Sequence, residues 1–521
     1  MLNCPDAIGR WGLMGELPGQ FCFWRPLRLR VRSAGSAPKG EHVMSTRIRV
    51  LALLSLCLAA LLLTIDQGTA QTSQVMIRPG VMLPADSIVL NPYARLQMIK
   101  PASSLPQPGR FHTHLLLAVP QGGFPRINPN ITVGPPFAGY LFETPASLGC
   151  IYNVVTVVPG CNPNTVTTNP SGGTRAIAIV DAYDYPTAAA DLATFNAQFG
   201  LAAADFTVIY GTGSPVNGCT NGTQPSGNTG WNLEAALDIE MAHAMAPGAK
   251  IYLVEATSNS YTDLFNAVQI ATACIQAAGG GYISMSWGGA EFASETSYDT
   301  YFTGSNVIYF VSSGDNPGTE YPSVSPNVIA VGGTTINRNG TTGAFLSESV
   351  WNSDHDSTGT GGGVSTYEPR PAYQNFMSAI VGTHRGAPDL AADADPRSGV
   401  WVYNTTYCGG WCSVGGTSAA APMLAALFDR AGFFSSSSYN LVSAIYGLAQ
   451  SNALASHVTS ITNGTCGSAN LAGVYPGAYN PSIDPAYILA KSGIPWSSCV
   501  GWGTLKDSGT PNVVASESLT K

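Results

Sequence analysis

A serine that closes a glycine-rich turn is the residue whose setting most directly allows chemistry. Gly415, Gly416 and Thr417 precede Ser418, and the mostly apolar residues that follow, as far as Phe428, predict a helix. Glycines let another backbone approach closely, and the unpaired N–H groups at a helix start stabilise a developing oxyanion. Serine is also a common helix N-cap. This segment therefore predicts either a nucleophile or an ordinary cap.

A nucleophilic serine needs a proton acceptor, and a pair of acids on one predicted helix offers one. The pattern predicts a helix from about Asn232 to Met245, in which Glu234 and Asp238 lie roughly 40° apart on one face. His243, on the same helix, points elsewhere. Carboxylates at this spacing repel each other, so spacing alone favours a solvated face. The functional alternative is a pair that shares a proton, with one apparent pKa raised by the like charge.

The elements that must position these residues alternate between strands and helices. The predicted strands are Ala176–Asp181, Phe206–Tyr210, Lys250–Glu255, Tyr282–Trp287 and Val307–Ser312. Besides the helix with the acid pair, the predicted helices are Asp191–Phe199, Tyr261–Ala278 and Ala293–Phe302. This alternation predicts an α/β fold with a mainly parallel sheet covered by helices on both faces. In such sheets the reactive groups lie where strands end and helices begin.

Composition narrows the possible functions. The chain has 521 residues, of which 45% are hydrophobic, so it can bury a large core. Its 23 Lys and Arg residues against 31 Asp and Glu residues give a formal net charge of −8. Nucleic-acid binding needs clustered basic charge, so we expect no nucleic-acid partner. The small number of charged groups is compatible with work at low pH.

The first seventy residues are typical of an exported precursor. The basic stretch Met44–Arg49 precedes the apolar run Val50–Leu63, and residues 68–70 supply a small-residue cleavage site. The apolar run is too short for a comfortable membrane span, although a short N-terminal anchor is the alternative. We therefore expect a start at Met44, a signal peptide that ends at residue 70, no stable membrane span, and a secreted or periplasmic protein.

Two regions follow the expected cleavage point. Residues 71–143 are rich in proline and have little periodicity apart from the apolar stretch Leu115–Val119, so they predict a short pro-segment or an N-terminal arm. From residue 144 to residue 521 the pattern is coherent and predicts one large catalytic domain.

Cysteine usage agrees with export. Beyond residue 70 the cysteines are Cys150, Cys161, Cys219, Cys274, Cys408, Cys412, Cys466 and Cys499. An even set in an exported chain predicts disulfides, and Cys150–Cys161 and Cys408–Cys412 are plausible local pairs. The sequence contains no CxxC pair and no His/Cys spacing of the kind that binds zinc, so we expect no metal site.

Six short motifs, taken in order, resemble the sedolisin family of serine-carboxyl peptidases. They are Glu234 with Asp238 and Glu240, Ala246-Pro247-Gly248-Ala249, Ser286-Trp287-Gly288-Gly289, Ser312-Ser313-Gly314-Asp315, Gly361-Gly362-Gly363-Val364-Ser365, and Gly416-Thr417-Ser418 with Pro422. The resemblance covers about residues 144–505. It implies a subtilisin-like fold and an exported, acid-active endopeptidase or tripeptidyl peptidase that cleaves peptide or protein substrates.

The resemblance also implies catalytic roles. Ser418 matches the nucleophile, Glu234 the carboxyl group that takes its proton, and Asp238 the partner that orients Glu234. Asp315 matches an aspartate of the oxyanion site. A carboxyl group can donate a hydrogen bond to an oxyanion only while it is protonated, which fits work at low pH.

Further residues resemble the surroundings of the family's site. Asp181 and Trp287 match outer members of a proton network, although the outer acid of the family is usually a glutamate. Ser286, Trp287 and Gly288 resemble a segment that binds the substrate backbone as an added strand.

The chain departs from the family near its C-terminus. The family's calcium site uses two aspartates, and the matching positions here are His457 and Ser497. Calcium prefers several hard oxygen ligands including carboxylates, so we expect no calcium and no other cofactor. Cys466 and Cys499 lie in the two halves of this lost motif, and we expect them to form a disulfide that replaces the metal. The family's long folded pro-domain cannot fit in residues 71–143.

Two other functions compete with this interpretation. A subtilisin-type neutral serine peptidase could use Asp181 and Ser418, but the His-Gly-Thr-His segment it needs is replaced by the acid pair. A catalytically idle exported binding protein of the same fold is the second alternative, and the presence of all four candidate catalytic residues counts against it. We expect a monomer.

Overall fold

The computed structural model describes residues 96–124, 134–137, 139–353, 358–466 and 493–506. The expected signal peptide and start at Met44 lie outside these residues. The described residues all fall within one compact unit, Val75–Lys521.

Strands and helices alternate through most of the described chain. In chain order the strands are β1 (Leu96–Ile99), β2 (His112–Thr113), β3 (Leu116–Pro120), β4 (Ala176–Ala182), β5 (Asp205–Tyr210), β6 (Lys250–Ala256), β7 (Gly281–Met285), β8 (Trp287–Ala290), β9 (Val307–Ser312), β10 (Glu320–Tyr321), β11 (Ile329–Arg338), β12 (Phe345–Val350), β13 (Asn352–Ser353), β14 (Thr358–Gly359), β15 (Gly363–Pro369), β16 (His384–Ala387), β17 (Leu390–Asp393), β18 (Val400–Asn404), β19 (Gly410–Gly415), β20 (Val458–Thr459) and β21 (Thr504–Leu505). The α-helices are α1 (Pro145–Ile151), α2 (Ala188–Phe199), α3 (Thr229–Met245), α4 (Tyr261–Ala277), α5 (Ser378–Val381), α6 (Thr417–Ala431) and α7 (Ser438–Gln450). Short 3-10 helices are Ala102–Ser104, Pro215–Asn217, Glu295–Phe302, Ala372–Met377 and Leu454–Ser456.

A ten-stranded sheet forms the centre of the fold, in the order β20-β21-β17-β11-β9-β7-β4-β6-β5, with β12 added on β11. The run from β17 to β5 is parallel throughout. Strand β4 lies between β6 and β7, so the chain order reverses there. This confirms the predicted α/β fold with a mainly parallel, subtilisin-like sheet.

Strand β4 illustrates how both faces of the sheet are covered. Ile177 and Ile179 belong to the apolar cluster that contains residues of α3 and α6. Ala178 and Val180, which point the other way, belong to the cluster that contains residues of α4. Side chains alternate between the faces of a strand, so a strand buried on both sides is apolar at every position.

The predicted elements agree with the structure except at two places. Residues Glu295–Phe302 form a 3-10 helix rather than an α-helix. The strand predicted as Tyr282–Trp287 ends at Met285, and Trp287 starts β8, which belongs to a separate sheet. Ser286 lies between the two strands, where its backbone and side chain bond to residues of the candidate site described below.

Residues 96–124, which we call the arm, pack as strands rather than as a loose segment. Strand β3 pairs with β1 and with β19 of the domain, and all of its residues are buried. Strand β2 pairs with β8. The described residues of this region therefore pack as part of the fold, and the pro-segment and the N-terminal arm stay as the two alternatives.

Four disulfides are present among the described residues. Cys150–Cys161 and Cys408–Cys412 are the predicted local pairs, and Cys466–Cys499 is the pair expected across the lost calcium motif. The fourth, Cys219–Cys274, was not predicted, and it ties a loop before α3 to the end of α4. Among the described helices, none combines the length and apolar character that crossing a bilayer requires.

The Cys466–Cys499 bridge should contribute more stability than the Cys408–Cys412 bridge, because it spans 33 residues rather than 4. The chain-entropy relation gives about 4 kcal/mol for the longer loop and about 2 kcal/mol for the shorter one. Paired Cys→Ala variants of each bridge, unfolded in denaturant, measure the difference. Peptide mapping without reduction checks the pairing, and equal losses or different partners would contradict it.

Candidate active site

Ser418 is buried in the first turn of α6, at the junction of the sheet and the arm. Its hydroxyl donates to the carbonyl oxygen of Ser286 at 3.2 Å and accepts from the backbone N–H of His114 at 3.2 Å. Its own N–H donates to the carbonyl oxygen of His114 at 3.1 Å. The predicted nucleophile therefore lies at a helix N-terminus and in contact with an extended backbone.

Pro422 shapes the next layer of contacts. A proline has no N–H, so the carbonyl of Ser418, four residues earlier, lacks its helical partner. The Ser286 hydroxyl lies 3.3 Å from that carbonyl oxygen and 2.9 Å from Oδ1 of Asp238. The single proton of this hydroxyl is therefore shared between two acceptors, and the shorter contact is the one to Asp238. Because Pro422 leaves the Ser418 carbonyl without a helical donor, the Ser286 hydroxyl can connect the Ser418 segment to Asp238.

The acid pair faces the interior. Glu234 and Asp238 are both fully buried, so the solvated face that spacing alone favours is wrong, because apolar neighbours on every side of α3 pack into the core. Burial raises the pKa of both carboxyl groups well above the usual range. The charge of Asp238 raises the pKa of Glu234 further. Like-charge repulsion and desolvation together favour a pair that holds a proton.

Glu234 is the carboxyl group that lies near the serine hydroxyl. Neither of its side-chain oxygens has a hydrogen-bond partner. The proximity of the Ser418 hydroxyl works to lower the pKa of Glu234, although in this structure the hydroxyl donates to Ser286 instead.

Asp181 joins the group from the end of β4. It is buried, neither carboxyl oxygen has a partner, and burial raises its pKa to about 8. Its charge acts on both Glu234 and Asp238. Trp287 belongs to the apolar core, and its indole N–H donates to the carbonyl of Val180 at 2.7 Å, which fixes the strand beside Asp181.

Asp315 and Gly416 lie beside the carbonyl oxygen of His114, which accepts a hydrogen bond from the Ser418 N–H. Oδ1 of Asp315 accepts from the N–H of Thr417 at 2.8 Å, whereas Oδ2 has no partner. A Cβ on Gly416 would lie 2.7 Å from that Oδ2 and 2.0 Å from the carbonyl oxygen of His114. Gly416 has φ +114°, so only glycine suits both the conformation and the space. Burial raises the pKa of Asp315 to about 6, so below that pH Oδ2 carries a proton to donate.

The arm occupies the strand edge that the sequence assigned to substrate. Strand β2 pairs antiparallel with β8, with His112 opposite Gly288 and Thr113 opposite Trp287. The N–H of His114 also donates to the carbonyl of Ser286 at 3.3 Å. Ser286, Trp287 and Gly288 therefore bind an extended backbone in this structure, and that backbone belongs to the chain itself. The sequence pattern of the arm did not predict this.

Two histidines of the arm meet a carboxylate of the domain. Nε2 of His114 lies 2.8 Å and Nε2 of His112 lies 3.5 Å from Oε2 of Glu320. Burial works to raise the pKa of Glu320, but the two histidines outweigh it and lower the pKa to about 2. Sequence reasoning missed this cluster. The usable signal was the spacing of His112 and His114, because residues two apart on a strand point to the same side.

The described histidine side chains contact groups other than the Ser418 hydroxyl. His243 is buried, and its Nε2 bonds to the carbonyl of Ala202 at 2.9 Å. The side chain of His114 bonds to Ser312 and Glu320. Within the described chain, no histidine side chain makes a hydrogen bond to Ser418, so the geometry required by the Ser-His-Asp alternative is not formed.

The residues at the family's calcium position do not fit calcium. His457 packs its ring edge-on against Phe433. The Ser497 hydroxyl accepts from the N–H groups of Cys499 and Val500, both at 3.3 Å. Neither described position supplies a carboxylate, and a disulfide joins Cys466 to Cys499 nearby. That no calcium binds stays a prediction.

Comparison with known proteins points to one group of enzymes. Residues 213–431 match the family model described as Subtilase family. Kumamolisin from Bacillus sp. (strain MN-32) is 34% identical over 263 residues, which cover 46% of this chain and 45% of that protein. Sedolisin from Pseudomonas sp. (strain 101) is 29% identical over 342 residues, which cover 60% of this chain and 53% of that protein. The chain thus matches about half the length of each relative.

A solved structure resembles the fold over a greater length. It is Pseudomonas sedolisin, a serine-carboxyl proteinase, complexed with two molecules of pseudo-iodotyrostatin. The TM-score is 0.55 and the sequence identity is 25%, over 71% of this chain and 97% of the other.

The buried acids should make the protein less stable as the pH rises from 6.5 to 8. An unfolded chain has already lost these protons, whereas the folded chain keeps them because burial holds the pKa of Asp181, Glu255 and Glu368 at about 8. His112, His243 and His457 have lowered pKa values, so they affect stability only below about pH 6.5. We expect the melting temperature to fall across this window.

The variant Asp181→Asn should flatten that fall, because an amide has no proton to lose. Asp205→Asn, at an exposed position, is the matched control and should leave the slope unchanged. Thermal melts at half-unit pH steps measure both variants. An identical slope for wild type and Asp181→Asn would show that Asp181 is ionised in the folded protein.

Proposed function

Since this chain is a member of the sedolisin family, we propose that it hydrolyses peptide bonds through an acyl-enzyme formed on Ser418. The observation that carries the proposal is that buried carboxyl groups, and not a histidine side chain, lie around Ser418. Helix α3 carries Glu234 and Asp238, and strand β4 carries Asp181. Asp315 lies just after the end of β9.

The proton chemistry follows from the positions of these groups. Ionised Glu234 takes the proton of the Ser418 hydroxyl as the oxygen attacks the substrate carbonyl carbon. Asp238 is the second carboxyl group of the pair, and it shares one proton and one negative charge with Glu234. When the peptide C–N bond breaks, Glu234 returns the proton to the leaving amine. Water then attacks the acyl carbon while Glu234 takes one of its protons, and Glu234 passes that proton to the Ser418 oxygen as the ester C–O bond breaks.

The oxyanion has two donors available. The N–H of Ser418 already donates to a carbonyl oxygen at 3.1 Å, that of His114. Oδ2 of Asp315 has no partner and lies beside the same Gly416 that this carbonyl contacts. While Asp315 is protonated, it supplies the second hydrogen bond. Removing one oxyanion donor typically costs about 10²–10³ in rate.

We propose that a substrate adds as an antiparallel strand along Ser286, Trp287 and Gly288. The pairing of β2 with β8 supports this, because it gives the edge the backbone geometry of a bound peptide. A substrate must displace β2 before it can reach Ser418. Export to the cell exterior or periplasm is part of the proposal, supported by the signal-like N-terminal residues and the disulfides.

Hydrolysis of a denatured protein at pH 4 tests the activity. We expect turnover by wild type and a loss of at least about 10³-fold in Ser418→Ala. Thr405→Ala, which alters a hydroxyl outside the site, is the matched control and should retain activity. No turnover by folded wild-type protein would favour the idle binding protein instead.

The activity should be confined to acidic pH, with a bell-shaped profile. At low pH the pair Glu234 and Asp238 is fully protonated and no base is left. As the pH rises through about 6, Asp315 loses the proton that it donates to the oxyanion. Initial rates between pH 2 and 9 measure the profile. A maximum at pH 8 with loss below pH 6 would indicate a histidine base and contradict the assignment.

Asp315→Asn should keep a larger share of its maximal rate near neutral pH than wild type does. An amide donates a hydrogen bond without protonation, whereas Asp315→Ala has no donor and should be far less active. The pH profiles of kcat/KM for the three proteins make the comparison. Equal losses in both variants would assign Asp315 a purely structural role.

A further inference from the structure

We propose that His112, His114 and Glu320 form a binding site for a divalent transition-metal ion of the zinc class, which fastens the arm across the cleft. The site itself does not depend on the peptidase activity. Only its consequence, that the bound metal keeps substrate from Ser418, rests on the proposed function.

The three ligand atoms converge at metal-site distances. One ligand atom from each of His112, His114 and Glu320 lies within 4.8 Å of the other two. Ligands at 2.0–2.2 Å from a tetrahedral zinc ion are about 3.3 Å apart. The His112–Glu320 separation of 3.5 Å already meets this value. The His114–Glu320 separation of 2.8 Å must open by about 0.5 Å, which a glutamate side chain can provide.

The other ring nitrogen of each histidine is already held. Nδ1 of His112 lies 3.3 Å from the carbonyl oxygen of Thr113, which can only accept, so this nitrogen carries the proton. Nδ1 of His114 lies 2.6 Å from the hydroxyl of Ser312. When both Nδ1 atoms donate, both Nε2 lone pairs face Glu320. Metal-binding histidines typically show this outer contact, because it fixes the tautomer and the ring orientation.

Gly288 lies directly beside the three candidate ligands. A Cβ on Gly288 would lie 2.8 Å from Cε1 of His114 and 3.1 Å from Oε2 of Glu320, so the glycine keeps the pocket open. Both histidines are buried, whereas the side chain of Glu320 is 14% exposed and offers a route from solvent. Two imidazoles with one carboxylate suit zinc, copper or nickel better than calcium or magnesium, and they leave one position for water.

A metal at this position would link β10 to the arm across β8. Glu320 lies on β10, and β8 lies between β10 and the arm strand β2. The ion would therefore tie β2 to the edge that we assign to substrate. The N–H of His114, a ligand residue, contacts the Ser418 hydroxyl. Removing β2 from the cleft would then require breaking two metal bonds as well as the strand pairing.

The test measures Zn²⁺ binding directly. The full chain as Ser418→Ala, without an affinity tag and stripped of metal with a chelator, is titrated with Zn²⁺ at pH 7 by calorimetry and with Co²⁺ by visible absorption. We expect one equivalent of Zn²⁺ and the absorption bands of a four-coordinate Co²⁺ site. Added to that background, Glu320→Gln and His112→Asn should each weaken binding at least about tenfold. His384→Asn, a histidine outside the cluster, should bind as before.

Three outcomes would overturn the metal site. They are binding below one-half equivalent, affinities unchanged in the Glu320 and His112 variants, and a Co²⁺ spectrum typical of six water ligands. Such results would mean that the cluster is an ion pair which holds a proton. If a variant does not melt cooperatively, the Co²⁺ spectrum of the parent protein still decides.

Activity assays test the consequence separately. In protein with Ser418 intact, one equivalent of Zn²⁺ at pH 6 should slow hydrolysis several-fold, and Glu320→Gln should remove that inhibition. Metal binding without any hydrolysis would contradict the proposed function and leave the metal site standing. Hydrolysis that Zn²⁺ at one equivalent does not change would contradict the fastening of the arm.

Discussion

The desolvation of carboxyl groups around Ser418 is the constraint on which the site depends. Two buried carboxylates elsewhere in the described core are paired with an arginine: Glu143 with Arg338 at 2.6 Å and Asp389 with Arg385 at 2.7 Å. Among the groups that act on the pKa values of Asp181, Glu234 and Asp238, none is a lysine, an arginine or a histidine. An unpaired buried carboxylate is very costly, so burial raises the pKa of these acids and favours sharing of protons among them over ionisation of all three. The same packing that stabilises α3 therefore sets its chemistry.

A glycine and a proline near Ser418 shape the contacts between the serine and the buried carboxyl groups. Glycine at position 416 leaves room for a carbonyl oxygen beside Ser418 and Asp315. Proline at position 422 leaves the Ser418 carbonyl without a helical N–H, and the Ser286 hydroxyl lies close enough to replace it. Since Ser286 also contacts Asp238, one residue links the helix of the serine to the helix of the acids. Gly416 suits its positive φ, whereas Pro422 costs the helix one backbone hydrogen bond.

The arm changes what the site can do in this conformation. Its apolar strand β3 is buried between β1 and β19, and its continuation β2 fills the edge beside Ser418. The apolar core holds β3 in place, whereas β2 is two residues long and is held by few backbone hydrogen bonds. Under the proposed function, substrate reaches Ser418 only when β2 moves, and His112 and His114, on both sides of Thr113, connect this segment to Glu320.

The sequence alone determined the elements and the candidate residues. Apolar strands alternating with helices predicted the parallel sheet, because a strand covered on both faces has no polar positions. The spacing of Glu234 and Asp238 placed them on one face of a helix, and the resemblance assigned Ser418 and Asp315. Sequence spacing could not decide whether that face is solvated or buried, because burial depends on which elements pack against α3. Nor could it bring His112 and His114 to Glu320, about two hundred residues away, since only the pairing of β2 and β10 with β8 does so.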